Sequence, residues 1–146
     1  MSFAVRLLGA GDEAALEVLA REDADFDVDD RGHAHEAPRE HARAFLADAN
    51  VLCWACEQGG AIVGFLHCTI VRKRDGVELL LYEIGVRRAE RRRGVGRALV
   101  AAMDEWMRAH DVHEAWVLAD NDGAVAFYRA CGFAVSDDTA VYMTRA

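Results

Sequence analysis

The residues with the clearest chemical meaning form a basic segment that contains two glycines. The segment consists of Arg91, Arg92, Arg93, Gly94, Val95, Gly96 and Arg97, and it follows an apolar stretch at residues 79–86 that contains one glutamate. Glycine allows a tight turn that brings backbone N–H groups close to an anion, and the N-terminus of a helix carries a partial positive charge. Arginines at that end of a helix oppose its dipole unless they bind an anion, so the segment predicts a pyrophosphate site.

A solvated basic turn is the alternative explanation for a pair of glycines taken alone. Two other phosphate-binding motifs are excluded: no Walker lysine-serine pair follows the glycines, and no GxGxxG with an acidic residue about 20 positions later is present. After the glycines, Val95, Leu99 and Met103 recur at helical spacing. A strand, a turn and a long helix are therefore expected to position this segment.

The elements around this segment predict an α/β fold with a mixed sheet. Predicted strands occupy residues 3–8, 51–57, 61–72, 78–86 and 112–119, and a closing strand pair occupies residues 133–144. Predicted helices run from an Asp12 cap to residue 21, from Pro38 to residue 49, from residue 95 past residue 106, and over residues 122–130. Early hairpins followed by βαβ units indicate a central mixed β-sheet flanked by helices on both faces. The length of 146 residues fits a single domain, residues 1–146.

Two motifs are of particular interest: Arg91-x-x-Gly94-x-Gly96 and, downstream, Asn121-x-x-Ala124-x-x-Phe127-Tyr128-x-x-x-Gly132-Phe133. The first is similar to the R/Q-x-x-G-x-G/A signature of the GNAT superfamily of N-acetyltransferases, which binds the pyrophosphate of acetyl-coenzyme A. The second resembles the second signature of that superfamily, at the expected distance. The resemblance covers about residues 51–144. It implies the GNAT-type acyl-CoA N-acyltransferase fold and direct acetyl transfer from acetyl-coenzyme A to an amine.

The resemblance also implies roles for individual residues. Backbone groups of Ile84, Gly85 and Val86 would pair with the pantetheine arm, and amides from residues 91–97 would hold the pyrophosphate. Asn121 would form a hydrogen bond with the cofactor near the pantetheine. Tyr128 would protonate the leaving thiolate as a general acid. The alternative for Tyr128 is a core aromatic residue on an amphipathic helix.

Glu83 is the candidate general base. Acetyl transfer to an amine requires a free lone pair, so a group must accept a proton from an ammonium substrate, directly or through water. Glu83 is a charged residue in an otherwise apolar strand, and a carboxylate at such a position suggests a functional role. The alternative is an exposed edge glutamate without a chemical role. Direct transfer needs no covalent enzyme intermediate, so none of the cysteines has to act as a nucleophile.

The sequence says less about which amine is the substrate than about the reaction. The stretch Leu81-Tyr82-Glu83-Ile84-Gly85-Val86, followed by Arg91-Arg92-x-Gly94, is most similar to the aminoglycoside 3-N-acetyltransferases, which confer antibiotic resistance. The acidic residues of segment 22–31, with Asp120 and Asp122, would suit a polycationic amine, although such a cluster is often a solvated loop or a frayed helix. The segment carries no motif assignable to sugar recognition. Another small-molecule amine, or a protein or peptide amine, is the alternative substrate.

Charge helps to separate the remaining functional classes. The formal net charge of −8 argues against nucleic acid as a partner, and therefore against a toxin of this fold that binds transfer RNA. A domain that senses acyl-coenzyme A without turnover is a further alternative, and the presence of both Glu83 and Tyr128 argues against it. GNAT proteins are often dimers, so the resemblance leaves a homodimer open.

The cysteines and the hydropathy pattern predict a cytoplasmic protein without a metal. Cys53 and Cys56 have the spacing of a zinc knuckle, but residues three apart on a strand face opposite sides and cannot share a metal there. With Cys68 and Cys131, they are expected to be buried thiols in a reducing compartment. No apolar run reaches the roughly 20 residues of a membrane span, and the N-terminus lacks the pattern of a secretory signal.

Overall fold

The computed structural model describes residues 2–26, 38–138 and 140–146. Its strands are β1 (Ala4–Leu7), β2 (Val51–Gln58), β3 (Ala61–Lys73), β4 (Gly76–Val86) and β5 (Ala115–Val117). Its α-helices are α1 (Glu13–Arg21), α2 (Asp23–Phe26), α3 (Arg39–Ala47), α4 (Val95–Ala109) and α5 (Asp122–Ala130), and a short 3-10 helix occupies Arg88–Glu90. The part of segment 22–31 after Phe26 lies outside the described residues.

The strands form one mixed sheet in the order β1-β2-β3-β4-β5. The first four strands are antiparallel neighbours, and β5 pairs with β4 in parallel. Gly59 and Gly60, both at positive φ, form the tight turn between β2 and β3, where most side chains would be strained. The predicted mixed α/β sheet is confirmed.

Helices cover both faces of the sheet, as the sequence predicts. On one face, Leu52, Trp54 and Cys56 of β2 pack in the same cluster as Leu99 and Met103 of α4. The intervening residues Cys53 and Ala55 face the other side, where Leu16 of α1 and Phe45 of α3 pack against them. This alternation is the period of two that a strand covered on both faces produces.

The cysteines behave mainly as buried thiols. Cys53, Cys56 and Cys68 are buried, and burial raises their pKa values to about 12, about 11 and about 12, so they hold their protons at neutral pH. Cys131 is only partly buried, which differs from the expectation. Within the described ranges, no group of three or more His, Cys, Asp or Glu residues is arranged to hold a metal ion.

The C-terminal part differs most from the sequence prediction. Residues 133–138 and 140–146 contain no strand, and Val141, Tyr142 and Met143 are more than 80% exposed. β5 covers three residues rather than 112–119, and Val112 instead closes the end of α4 through a hydrogen bond from its N–H to the Met107 carbonyl. β-branched and aromatic residues stabilise a strand mainly when a neighbouring strand lies beside it. The sequence pattern alone does not show whether such a neighbour exists.

Two helix boundaries also differ. Asp12 stands at the predicted N-cap of α1, but its carboxylate accepts a hydrogen bond from the Gly9 N–H and pairs with Arg6 instead of capping the helix. α3 ends at Ala47, two residues before the predicted end. None of the helices described is both long enough and apolar enough to cross a membrane.

Candidate active site

The sheet opens between β4 and β5. These two strands pair only from Leu79 with Ala115 to Leu81 with Val117, whereas β4 continues to Val86. Its other edge remains paired with β3 as far as Gly64 and Val86. The edge of β4 after Glu83 therefore faces no other strand in the described part of the chain, and its N–H and C=O groups can pair with an extended ligand. The predicted residues Ile84, Gly85 and Val86 lie together on this edge.

A left-handed turn leads from β4 into α4. Arg92 has φ 63° and Gly94, the N-cap residue of α4, has φ 86°. No side chain of the described residues caps α4, and its first turn contains no acidic residue. The first N–H groups of the helix are therefore available to an anion.

The two glycines of the motif serve different purposes. Gly94 has open space where a Cβ would stand, so its positive φ is the reason for glycine there. A Cβ on Gly96 would lie 2.9 Å from the Phe127 ring and 3.9 Å from Val86. Gly96 therefore lets α5 and the end of β4 approach α4 closely, and the two signature motifs meet at this point.

The arginines of the segment are arranged around the same turn. The Arg91 Nε donates a hydrogen bond to the Val86 carbonyl at 3.1 Å, which ties the turn to the end of β4. One terminal nitrogen of the Arg91 guanidinium is buried and has no hydrogen-bond partner in the described structure. A buried donor without an acceptor is costly, and an anionic oxygen would satisfy it. Arg93 pairs with Glu90 at 3.3 Å, and the Arg92 and Arg97 residues are exposed.

Glu83 is placed by an irregularity in β4. Glu83 pairs with His67 of β3, but the next pair joins Leu81 to Cys68, so Tyr82 is an extra residue in β4. Beyond this bulge, the Glu83 side chain is 52% exposed and borders a cleft of about 350 Å³ between the sheet and the α1–α3 layer. Apart from apolar side chains, this cleft is lined by Asp23, His41, Cys53, His67 and Glu83. A carboxylate that faces a cleft is placed to accept a proton there.

Tyr128 lies on the other face of the sheet. It is 8% exposed in the cluster under α4, and its ring contacts the edges of Phe127 and Phe133 with centroids 5.4 and 5.5 Å away. Burial first, and then the charge of Asp120, raises the pKa of the phenol to about 12. The hydroxyl therefore keeps its proton at neutral pH. Tyr128 is thus a core aromatic residue whose phenol is protonated and can donate.

Asn121 has a structural task that the sequence interpretation did not consider. It is the N-cap of α5, and its Oδ1 accepts a hydrogen bond from the Ala124 N–H at 2.8 Å. Its Nδ2 donates to the Asp120 Oδ1 at 3.1 Å. The preference of asparagine for N-cap positions is the signal that predicts this arrangement.

Arg87 is a residue of the site region that sequence reasoning missed. Its guanidinium donates to Asp25 and to Glu22 at 3.1 Å each, and its Nε donates to the Ile62 carbonyl. It also lies 4.5 Å from the centre of the Phe26 ring. Two carboxylates of segment 22–31 therefore bind Arg87 and fix α2 to the end of β4. Partners more than 60 residues apart leave no local signal in the sequence.

Comparison with known proteins assigns the family. Residues 16–133 match the model of the Acetyltransferase (GNAT) family. The chain is 35% identical over 75 residues to the N-alpha-acetyltransferase RimI of Mycobacterium tuberculosis, covering 51% of this chain and 47% of that protein. It is 36% identical over 112 residues to a mycothiol acetyltransferase of Corynebacterium glutamicum, covering 74% of this chain and 36% of that protein. The chain spans less than half the length of the curated relatives it matches.

A solved structure supports the same fold. An aminoglycoside acetyltransferase from an uncultured soil metagenomic sample, in complex with sisomicin, superposes with a TM-score of 0.88. The superposition covers 99% of this chain and 97% of that chain, at 21% sequence identity. At 21% sequence identity, this similarity shows a shared fold and nothing further.

Proposed function

The chain belongs to the acetyltransferase (GNAT) family, and we propose that it transfers the acetyl group of acetyl-coenzyme A directly to a primary amine. One observation carries the proposal: among the described residues, the unpaired edge of β4 is followed, after residues 87–94, by the uncapped N-terminus of α4, beside the buried nitrogen of Arg91 that has no partner there. This arrangement fits a ligand with an extended amide-containing arm and a pyrophosphate.

Each part of the proposed cofactor site has its own physical basis. Ile84, Gly85 and Val86 present backbone groups to the pantetheine amides, and the N–H groups of residues 91–97 surround the pyrophosphate. The Arg91 guanidinium holds Val86 with one nitrogen and satisfies its remaining buried donor on a phosphate oxygen. When bound, acetyl-coenzyme A supplies the acetyl group as a reactive thioester.

The proposed acid and base approach the reacting carbon from different faces of the sheet. Glu83 borders the cleft on the α1–α3 side, and Tyr128 lies on the α4 side. A thioester carbon at the opening between β4 and β5 would have the amine and Glu83 on one side and Tyr128 on the other. Glu83 would accept the ammonium proton, the amine nitrogen would bond to the acetyl carbon, and the carbon–sulfur bond would break as Tyr128 donates a proton to the sulfur. The nitrogen would then lose its second proton to water, and Tyr128 would regain a proton from water.

The cleft has room and negative charge for a small amine with at least one cationic group. Asp23 and Glu83 supply negative charge, while the remaining wall is largely apolar, with Leu19, Phe45 and Phe65 among its residues. Glu22 and Asp25 already bind Arg87, which leaves less of the acidic segment for a polycation than the sequence predicts. An aminoglycoside amine is the proposed substrate, supported by the fold shared with the sisomicin-binding enzyme.

A protein N-terminal amine is the second candidate. The relative named RimI, an N-alpha-acetyltransferase, matches half of this chain at 35% identity and supports this alternative. A peptide with an N-terminal alanine presents one ammonium on an extended backbone, whereas sisomicin presents several ammonium groups on sugar rings. Charge therefore separates the two candidates.

The test uses the purified protein, acetyl-coenzyme A and three amines: sisomicin, spermidine and an alanine-initiated peptide. Release of free thiol and the mass of the product are measured for each. Acetylated sisomicin supports the proposal, and acetylated peptide alone supports the second candidate. Calorimetric binding of acetyl-coenzyme A with no thiol release for any amine would instead indicate an acyl-coenzyme A sensor and overturn both.

A further inference from the structure

His67 stands in the centre of a row of side chains that crosses three strands. In the sheet register, His67 of β3 pairs with Cys53 of β2 on one side and with Glu83 of β4 on the other. All three residues border the cleft beside α1–α3. The His67 Nδ1 lies 3.8 Å from the Glu83 Oε1, within ion-pair distance and beyond a direct hydrogen bond.

The imidazole ring of His67 is held between two aromatic rings. The Phe45 ring of α3 meets it edge-on with centroids 4.8 Å apart, and the tilted Tyr82 ring lies 5.2 Å away. The side chain of His67 is 14% exposed, compared with 52% for Glu83. A ring packed on two sides has few rotamers, so Nδ1 stays directed at the carboxylate.

Cys53 does not make this row a nucleophilic site. Burial, and secondarily the charge of Glu83, raises the pKa of the Cys53 thiol to about 12. A thiol that keeps its proton at neutral pH does not attack a thioester, because the thiolate is the nucleophile. The chemically active part of the row is therefore the pair of Glu83 and His67.

We propose that His67 is the positioning residue of the proton acceptor: it takes over the proton that Glu83 removes from the amine, and the imidazolium that forms holds the Glu83 carboxylate in place. The inference rests on the proposed function of Glu83 as the base. The ammonium N–H bond breaks as the proton binds a Glu83 oxygen. Because the two groups lie beyond direct hydrogen-bond distance, a water molecule between them would carry the proton to the unprotonated Nδ1 of His67, which restores the carboxylate and leaves an imidazolium beside it.

The pair has an advantage over a carboxylate alone. An imidazole side chain ordinarily titrates nearer to neutral pH than a carboxyl group, so it holds a proton better at the pH of the reaction. The imidazolium that forms is stabilised by the neighbouring carboxylate. The other titratable groups that border the cleft are Asp23 of α2, His41 of α3 and Cys53 of β2. His113 is exposed, precedes β5 and does not border the cleft, so it provides a matched control.

The test compares His67→Asn, whose amide can form hydrogen bonds near the Nδ1 position but cannot take up a proton, with His113→Asn. Rates are measured from pH 5 to 9 at saturating acetyl-coenzyme A, with whichever of sisomicin, spermidine or the alanine peptide gives the highest turnover. We expect His67→Asn to lower kcat at least tenfold and to move the acidic limb of kcat/KM to lower pH, while His113→Asn changes neither. A loss of thermal stability without movement of the acidic limb would make His67 merely structural and overturn the inference.

A second measurement needs no amine substrate. The nitrogen resonances of the His67 ring are recorded by NMR at one pH in the unmodified protein and in Glu83→Gln. Loss of the neighbouring carboxylate should shift the Nδ1 resonance, because Nδ1 faces that carboxylate. An unchanged Nδ1 resonance overturns the inference. If Glu83→Gln is slow while His67→Asn retains full rate, the inference fails and the role of Glu83 as the base stands. If Glu83→Gln retains full rate, Glu83 is not the base and the inference fails with it, while acetyl transfer to the amine stands.

Discussion

The two sides of the sheet are built in different ways. The proposed cofactor side uses backbone groups, two glycines and a helix N-terminus, all supplied by residues 84–97 and joined by the 3.1 Å bond from Arg91 to Val86. The amine side uses side chains from three helices and three strands, among them Asp23, His41, Cys53, His67 and Glu83. One side therefore depends on local conformation, and the other depends on tertiary packing.

The largest expected effect concerns the amine side. Glu83→Gln keeps the shape of the side chain but removes the proton acceptor, and kcat should fall by roughly 10²–10⁴-fold. The dissociation constant of acetyl-coenzyme A, measured by calorimetry, should stay unchanged because the backbone of β4 is intact. The exposed Glu105 of α4 provides the control, and Glu105→Gln should retain full activity. Normal turnover in Glu83→Gln would show that Glu83 is a surface residue without a catalytic role.

This difference explains which parts of the molecule could be predicted from the sequence. The turn at residues 91–97 and helix α5 over Asp122–Ala130 follow from short-range glycine, arginine and apolar spacing, and the structure has them where predicted. The contact between Gly96 and Phe127 could be inferred only from the resemblance that linked the two motifs. His67 and Arg87 act through partners on other elements, and no local pattern marks them.

The C-terminal residues show the opposite case, in which a local pattern was present but insufficient. Residues 141–143 are valine, tyrosine and methionine, and they belong to the segment 133–144 for which the sequence pattern predicts a strand pair. In the structure no strand lies beside them among the described residues, and their side chains are exposed. Strand propensity mostly measures the fit to a neighbouring pleated surface, so the sequence pattern could not decide the outcome.

The second prediction separates local strain from cofactor binding. Gly94→Val places a β-branched residue at φ 86° at the start of α4, so the turn must change shape. We expect the affinity for acetyl-coenzyme A to fall at least about tenfold, since the N–H groups of the turn lose their alignment. Gly60→Val is a matched control, because Gly60 has φ 82° and also has open space around it.

Both variants should lose similar stability, roughly 1–2 kcal/mol from the left-handed conformation. Only Gly94→Val should lose affinity, because Gly60 lies in the turn between β2 and β3. Calorimetry and thermal unfolding measure the two quantities separately. If the folded Gly94→Val protein and the unmodified protein bind acetyl-coenzyme A with equal affinity, this turn does not bind the pyrophosphate.

The third prediction tests the acid on the far face of the sheet. Tyr128→Phe removes one hydroxyl from a packed ring, so kcat should fall about tenfold or more while acetyl-coenzyme A still binds. Because burial raises the pKa of Tyr128 to about 12, the phenol keeps its proton, and Tyr128 should add no alkaline limb to the rate profile below about pH 10. Rate profiles of both proteins measure this. An unaffected kcat would mean that water or another group protonates the thiolate.

The smallest expected effect concerns long-range attraction of the amine. With acetyl-coenzyme A saturating, the kcat/KM of sisomicin should fall roughly threefold as salt rises from about 0.05 to about 0.3 M, since screening shortens the reach of Asp23 and Glu83. The alanine peptide, with a single ammonium, should respond much less. Saturating cofactor is essential, because salt also screens the arginines of residues 91–97. Equal salt dependence for both amines would mean that the acidic residues do not select polycations, and the preference between the candidates would then depend on the shape of the cleft.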